Sequence, residues 1–277
     1  MQQHQGSIGI FDSGYGGLTI LKEIVHLLPQ YNYLYLGDNA RSPYGTRSYE
    51  TVYQYTLQAV NWFFKQGCSL VILACNTASA KALRTIQQND LPKMGGPHHR
   101  VLGVIRPTSE IIGSFTQTGN VGLFATSGTV QSQSYVIEIQ KFFPHIQVFQ
   151  EACPMWVPLV ENNEFDNAGA DYFIQKHVDQ LMAQNSHIDT ILLGCTHYPL
   201  LKDRIRKYVP ANTTILAQGT IVAHSLQNYL QRHPEIAQKC KQESTTHYYT
   251  TDNPIEFNLK ASIFFGNSII SHFAQLT

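Results

Sequence analysis

The chain has 277 residues, about twice a typical single-domain length, and its 19 Lys+Arg balance 19 Asp+Glu to a formal net charge of zero. A neutral chain lacks the positive field with which proteins attract nucleic acids or acidic membranes. Hydrophobic residues make up 43%, which excludes disorder and allows a large core. No apolar run approaches the roughly 18 residues of a membrane span, and the first residues lack the basic and apolar regions of a signal peptide. We therefore expect a soluble cytoplasmic protein, with two domains or one large α/β domain.

Short apolar runs alternate with longer amphipathic stretches along the chain. Short runs bounded by Gly, Pro or polar residues predict buried strands, here Ile8–Phe11, Tyr33–Leu36, Leu70–Ala74, Val101–Ile105, Val121–Ala125, Ile146–Phe149, Thr190–Leu193 and Thr213–Ala217, with a late Tyr-rich strand at Thr246–Thr251. The amphipathic stretches predict helices, here Leu18–Leu28, Tyr49–Lys65, Gln131–Phe142 and Ala170–Ala183. Alternation of strands and helices predicts parallel sheets covered by helices on both faces.

An internal repeat organises these elements. The segment Ile8–Gly14 aligns with Val121–Ser127, and Leu70–Thr77 aligns with Thr190–His197 further along the chain. Both alignments place a polar or nucleophilic group where an apolar strand runs out into a helix. Two matches in the same order predict two similar, doubly wound α/β domains with mainly parallel sheets that face one another.

The predicted first domain comprises residues 1–102 together with 214–277, and the predicted second domain comprises 103–213. A spacer with Gly and Pro, Asn89–Arg100, separates the halves. The C-terminal residues have no counterpart in the second half, so we expect them to return and complete the first domain. Because open α/β sheets bind ligands beyond the carboxyl ends of their strands, we expect the functional site in the cleft between the domains.

The five cysteines are odd in number and widely spread, without a C-x-x-C pair, so neither a disulfide framework nor a zinc site is expected. Cys75 and Cys195 occupy equivalent places in the repeat, each at a strand end before a predicted helix, where N–H groups stabilise a thiolate. A nucleophilic pair of Cys195 with His197 is an alternative, but it leaves Cys75 unexplained. Two equivalent thiols instead predict racemisation or epimerisation by two bases, in which one takes a proton and the other delivers one to the opposite face. Such a reaction requires no cofactor.

Two further segments follow predicted strands. The loop Asp12–Gly17 reads DSGYGG, and its glycines and N–H groups would let the backbone approach an anion closely. The segment Gly37–Gly45 ends in Pro-Tyr-Gly. A plain turn is an equally simple interpretation of the first segment and the default interpretation of the second.

Five strings together resemble bacterial glutamate racemases, which form part of the aspartate/glutamate racemase superfamily. The strings fall in that family's order along nearly the whole chain and read DSGYGG (12–17), ARSPYG (40–45), ACNTAS (74–79), ACPMWVPLVE (152–161) and GCTHYPLL (194–201). His197 after the second Cys-Thr favours the glutamate branch, because aspartate racemases typically place Glu there.

The resemblance implies specific roles. Cys75 and Cys195 would be the catalytic acid/base pair, with Asp12 assisting the first and His197 with Glu161 assisting the second. Asp12 and His197 would also contact glutamate, together with Ser13, Tyr44, Gly45, Asn76, Thr77, Thr129 and Thr196. The enzyme would interconvert L- and D-glutamate without cofactor or metal, supply D-glutamate for peptidoglycan in the cytoplasm, and form a homodimer.

Two stretches depart from the family pattern. Where the family usually reads G-V-I-E-P-G, residues 103–108 read GVIRPT, so Arg106 replaces an acid and Thr108 a glycine. A late D-S-G-like stretch reads AQGT at 217–220. These departures spare the cysteine motifs and bear instead on the hinge between the domains, the dimer contacts and any effector site.

Other functions remain open from the sequence. A racemase of aspartate or a related amino acid would share the cysteine motifs, whereas a decarboxylase of the superfamily needs only one proton-donating cysteine. A non-catalytic, bilobed ligand-binding module would also have two similar domains, but it needs no paired cysteines.

Overall fold

The computed structural model describes residues 4–277, which form ten strands and thirteen α-helices. The strands are β1 Ile8–Asp12, β2 Tyr33–Gly37, β3 Leu70–Leu73, β4 Arg100–Gly103, β5 Asn120–Ala125, β6 Gln147–Ala152, β7 Thr190–Gly194, β8 Thr214–Leu216, β9 Thr246–Thr250 and β10 Ser271–Phe273. The α-helices are α1 Leu18–Leu27, α2 Tyr49–Gln66, α3 Asn76–Lys81, α4 Leu83–Thr85, α5 Ile105–Ile111, α6 Ser127–Ser132, α7 Ser134–Phe142, α8 Trp156–Glu161, α9 Ala168–Gln184, α10 Lys202–Arg206, α11 Gly219–Arg232, α12 Pro234–Ala237 and α13 Pro254–Phe265.

The strands form two sheets in which every neighbouring pair is parallel. The first sheet has the order β10-β9-β2-β1-β3-β4 and the second the order β6-β5-β7-β8. The α/β fold class and its parallel sheets are therefore confirmed. We refer to the first sheet with its helices as the first half, and to the second sheet with its helices as the second half.

The repeat is visible in the strand order and in the register. The order β2-β1-β3-β4 of the first sheet matches β6-β5-β7-β8 of the second. Ile8 pairs with Leu70 in the first half, and Val121 pairs with Thr190 at the equivalent place in the second. Both halves therefore present equivalent strand ends to the site.

Helices cover both faces of the first sheet because side chains alternate along its buried strands. Ile8 and Ile10 of β1 pack in the apolar cluster that contains helix α1, whereas Phe11 packs in the cluster that contains helix α2. Successive residues of a strand point to opposite faces, so a strand buried on both faces is apolar throughout.

Several boundaries differ from the predictions. Strand β8 pairs with β7 in the second sheet, so assigning residues 214–216 to the first domain was wrong. The rest of the domain division stays a prediction. The stretch predicted as one helix, Gln131–Phe142, is broken at Gln133, whose left-handed backbone (φ 55°) separates α6 from α7. The spacer Asn89–Arg100 contains short helical turns before β4 begins.

The C-terminal residues return to the first sheet, as expected. Strand β9 pairs with β2, and β10 adds an edge strand beside β9. Helix α11 also belongs to this return, since it packs against α1.

Candidate active site

Both repeat-related cysteines line one cavity of about 130 Å³. A buried water needs roughly 10–15 Å³ of such volume, so the cavity admits a small molecule. It lies beyond the carboxyl ends of strands from both sheets, where parallel sheets bind their ligands. Most of the predicted site residues line it, namely Ser13, Tyr44, Gly45, Cys75, Asn76, Thr77, Cys195, Thr196 and His197.

The thiol of Cys75 lies at the start of a helix. Apolar β3 ends at Leu73, and Cys75 caps α3 by accepting a hydrogen bond from the N–H of Ala78 to Sγ, at 3.4 Å. Its sulfur also lies 3.6 Å from Ser13 Oγ. Burial, and then the nearby charge of Asp12, raise the pKa of Cys75 to about 12 even though the Ala78 N–H opposes this shift. Cys75 therefore carries a proton at neutral pH.

Asp12 lies behind the cavity wall and connects the two cysteine motifs. Its carboxylate is fully buried and accepts hydrogen bonds from Gly14 N–H, at 2.9 Å, and from Thr196 Oγ1, at 3.4 Å. Burial raises the pKa of Asp12, against the opposing influence of His197. Asp12 therefore acts on Cys75 through its charge, while its hydrogen bond across the cavity wall goes to the residue after Cys195; its role beside Cys75 stays a prediction.

Gly16 lets the DSGYGG loop reach the second half. A Cβ at this position would lie 2.2 Å from Thr196 Oγ1 and 2.5 Å from His197 Nδ1. Such distances are far inside van der Waals contact, so any larger side chain would push the halves apart. The loop is a point of close approach between the halves as well as a turn.

The thiol of Cys195 has an imidazole beside it. Its Sγ lies 3.9 Å from His197 Nδ1, and Nε2 of the same ring lies 2.9 Å from Glu161 Oε1. Burial alone would lower the pKa of His197, but its hydrogen bonds to Cys195 and Glu161 outweigh burial and raise the pKa to about 10. The ring is therefore a cation at neutral pH, and that cation stabilises negative charge on the neighbouring sulfur. Glu161 holds the ring from outside the cavity lining.

A cluster of threonine hydroxyls completes one wall. Thr77 Oγ1 lies 2.9 Å from Thr126 Oγ1, which lies 3.1 Å from Thr129 Oγ1. Thr77 and Thr126 line the cavity, whereas Thr129, a predicted substrate contact, is not among the lining residues. The cluster supplies neutral hydrogen-bond donors to a ligand.

The loop of Tyr44 and Gly45 spans the two halves. The hydroxyl of Tyr44 donates to the carboxylate of Asp38, and the carbonyl of Gly45 accepts from Gly128 N–H at 2.8 Å. A Cβ at Gly45 would lie 2.8 Å from that of Thr126. The default interpretation of this segment as a plain turn therefore understates its part in closing the cavity.

Sequence reasoning missed several lining residues. Thr126 occupies the place equivalent to Ser13 in the repeat, so the alignment could have identified it. Most of the others lie in or beside segments that the sequence analysis had quoted without naming these positions, namely Ser42, Pro43, Thr46, Ser127, Cys153, Pro154, Val157 and Pro158.

The fold and the two-cysteine cavity agree with the comparisons. The family model described as Asp/Glu/Hydantoin racemase matches residues 8–225, and the chain belongs to that family. A glutamate racemase of Geobacter metallireducens is 37% identical over 264 residues, which span 95% of this chain and 94% of that protein. Other relatives that are 36–42% identical to the chain are also glutamate racemases, so the resemblance found in the sequence is confirmed.

Solved structures agree over nearly the whole chain. The glutamate racemase isoform RacE1 of Bacillus anthracis superposes with a TM-score of 0.88 at 31% identity, covering 99% of this chain and 98% of that one. The glutamate racemase of Francisella tularensis, determined in complex with D-glutamate, has a TM-score of 0.85 at 26% identity with the same coverage. The two-sheet architecture is therefore that of glutamate racemases.

Proposed function

We propose that the protein interconverts L- and D-glutamate, with Cys75 and Cys195 exchanging the α-proton on opposite faces of the α-carbon. One thiolate takes the α-proton as the C–H bond breaks, and the other thiol gives its proton to the opposite face as the new C–H bond forms. The observation that carries this proposal is that two thiols from equivalent positions of the two halves line one small cavity. Membership of the family supports glutamate as the substrate.

The surroundings of the two thiols suit this division of work. Cys195 is assigned as the base because the cationic ring of His197 lies 3.9 Å from its sulfur, and Cys75 is assigned as the acid because its pKa of about 12 keeps it protonated. The free enzyme then holds one base and one acid. A turnover exchanges these states, and reaction from the other enantiomer restores them.

Neutral donors are proposed to bind the substrate. Within residues 4–277, the cavity lining contains no Lys or Arg side chain, and His197 supplies its one cation. Ser13, Asn76, Thr77 and Thr196 offer hydroxyl and amide groups instead. Hydrogen bonds of this kind hold the substrate without the tight ground-state binding that would raise the barrier to the carbanion.

The other functions considered have less support. Relatives along most of the chain are glutamate racemases, which argues against aspartate as the main substrate. A decarboxylase or a non-catalytic binding module would leave the second acid/base thiol without a purpose.

Incubation with each amino acid tests the proposal. L-Glutamate and L-aspartate are incubated separately with the protein, without pyridoxal phosphate and with EDTA, and enantiomers are separated by chiral chromatography. We expect D-glutamate to reach nearly the same amount as L-glutamate, and aspartate to react roughly 100-fold more slowly because one methylene misplaces its α-carbon. Equal turnover of aspartate, or a need for either cofactor, would overturn the assignment.

Cytoplasmic location and a role in peptidoglycan synthesis are part of the proposal. Within the described residues, no helix is both long enough and apolar enough to cross a bilayer. All five cysteines are free, and acid/base thiols need a compartment that keeps them reduced. Provision of D-glutamate for peptidoglycan is the known role of the family.

A homodimer is proposed from an exposed apolar stripe. Ile255, Leu259 and Ile263 recur at every fourth position of α13 and are 71%, 66% and 39% exposed. Ile270, just before β10, and Phe273, at its end, are 78% and 59% exposed. Residues four apart share one helix face, and contiguous exposed apolar patches mark interaction sites. A second copy can bury this stripe against itself around a two-fold axis.

Sedimentation velocity tests the dimer. The wild type should sediment as a dimer, and Leu259→Glu should dissociate it. Tyr172→Glu, at an exposed site on α9, is the control and should leave the dimer intact. A monomeric wild type would contradict the dimer.

A further inference from the structure

A buried polar network lies between the two halves, beside the cavity. Gln218 follows β8 directly before α11 and is 2% exposed. Its Nε2 lies 3.0 Å from Thr108 Oγ1 and 3.1 Å from the carbonyl of Val104. Gln218 and Thr108 both lie in the stretches where this chain departs from the family pattern, so these two departures are in direct contact.

Three side chains of this network close a ring of hydrogen bonds. Asn76 Nδ2 donates to Gln218 Oε1 at 2.8 Å, Gln218 Nε2 donates to the hydroxyl of Tyr135 at 2.7 Å, and that hydroxyl donates to Asn76 Oδ1. Each member donates once and accepts once. A ring of two amides and one hydroxyl can close in either direction, but Gln218 Nε2 also donates to the carbonyl of Val104. That carbonyl sets the orientation of the Gln218 amide and, through the ring, the orientation of the Asn76 amide.

The ring uses one N–H of Asn76 and leaves the second available. Within residues 4–277, the side chain of Asn76 makes no other hydrogen bond, and Asn76 lines the cavity beside Cys75. Asn76 starts α3 in the first half, and Tyr135 lies in α7 of the second half. The ring therefore holds Asn76 only while the two halves keep their present relative position.

We propose that Tyr135 and Gln218 are positioning residues that hold the amide of Asn76, so that its free N–H is directed at the substrate. This inference rests on the proposed function, in which Asn76 binds glutamate. Tyr135 and Gln218 act on the substrate only through Asn76. Loss of either residue lets the amide rotate and weakens binding of both enantiomers.

The size of the effect follows from one oriented hydrogen bond. Tyr135→Phe removes the hydroxyl and keeps the ring shape. We expect the KM for both glutamate enantiomers to rise about five- to tenfold, the range typical of one hydrogen bond, while kcat changes less than about threefold because the acid/base pair is untouched.

A double-mutant cycle tests this inference. KM and kcat are measured for wild type, Tyr135→Phe, Asn76→Ala and the double variant. We expect Tyr135→Phe to raise KM in the wild-type background and to leave KM unchanged in the Asn76→Ala background. An equal rise in both backgrounds, or no rise in either, would overturn the inference. A wild type without racemase activity would instead overturn the proposed function, so the two failures are distinguishable.

Two control variants separate positioning from general packing. Tyr33→Phe removes another buried tyrosine hydroxyl, which donates to the carbonyl of Leu28 away from the cavity, and should leave KM unchanged. Thr108→Val removes one of three acceptors near the two hydrogens of Gln218 Nε2 and spares the ring, so its KM should stay within about twofold of wild type. A KM rise in Thr108→Val as large as that in Tyr135→Phe would contradict the ring. If Tyr135→Phe fails to fold, Gln218→Met replaces it in the same cycle with the same expected result.

Discussion

The two cysteines occupy equivalent backbone positions but have different neighbours. Cys75 caps a helix, is buried beside the carboxylate of Asp12, and has its pKa raised to about 12. Cys195 lies 3.9 Å from the ring of His197, which Glu161 holds as a cation. The repeat thus places two thiols at equivalent positions, and their neighbours differ in charge: a buried carboxylate lies near Cys75 and a cationic ring beside Cys195. A reaction that needs an acid on one face and a base on the other requires both properties.

The largest expected effect comes from removing either thiol. Cys75→Ala and Cys195→Ala should each lower racemisation by roughly 10³-fold or more, because one proton transfer is lost in each variant. Circular dichroism of the glutamate solution follows the reaction. Cys68→Ala, a buried cysteine of the first half outside the cavity lining, is the matched control and should stay active. Near-normal turnover by Cys75→Ala would mean that the two halves do not share the chemistry.

Removal of the cation should act mainly on the Cys195 side, because His197 contacts that sulfur directly. His197→Asn should lower kcat about 100-fold, since the thiolate loses its neighbouring charge. Glu161→Gln keeps the imidazole and should lower kcat about tenfold, because the carboxylate acts through the ring. Steady-state kinetics in both directions measure these effects. A larger loss of kcat in Glu161→Gln than in His197→Asn would contradict the account that Glu161 acts on Cys195 only through the ring of His197.

The same pair should make stability depend on pH. The pKa of His197 is about 10 in the folded protein, above its ordinary value of 6.5, so the folded state binds this proton more tightly than the unfolded state. The resulting stabilisation is fully present below pH 6.5 and is lost as the pH rises through 10. Urea unfolding should therefore show a free energy of unfolding that falls over this range more steeply in wild type than in His197→Asn. Cys75 titrates in both proteins, so it does not produce this difference. If the free energy of unfolding fell equally with pH in wild type and in His197→Asn, the result would contradict a cationic His197.

The smallest effect is expected at the hydroxyls related by the repeat. Ser13 and Thr126 occupy equivalent places and both line the cavity. Ser13→Ala and Thr126→Val should each raise KM about three- to tenfold, as expected for one hydrogen bond to the substrate. Initial-rate kinetics measure both KM values. A KM rise in only one variant would show that Ser13 and Thr126 do not contribute equally to substrate binding, although their positions are related by the repeat.

The sequence carries the core of the fold because buried parallel strands are apolar along their whole length. The sequence alignment of the repeat correctly paired β1 with β5 and β3 with β7. The two cysteines that it paired, Cys75 and Cys195, line one cavity. Strand β10 escaped notice because it has three residues, of which His272 and Phe273 are exposed. Nothing local in 214–216 shows which sheet it joins, since its partner β7 lies well before it in the chain.

The site was predictable where it follows the repeat or a known motif, and unpredictable where distant segments meet. Thr126 could have been inferred from its alignment with Ser13. The contacts of Gln218 with Asn76 and Tyr135 join residues that are far apart in the sequence, so no local sequence pattern predicts them. Glu161 was named beside His197 only through the family resemblance, because no pattern within the helix distinguishes it, and the fold places its carboxylate 2.9 Å from His197.

The isotopic content of the first product tests the two-thiol account most directly. L-Glutamate is racemised in D2O, and D-glutamate is isolated at low conversion and examined by mass spectrometry. Two thiols on opposite faces predict that this D-glutamate carries deuterium at the α-carbon, because its proton comes from a solvent-exchanged thiol, while the remaining L-glutamate keeps its original hydrogen. D-Glutamate that retains the original α-hydrogen would show that a single group moves the proton between faces, and would contradict the account.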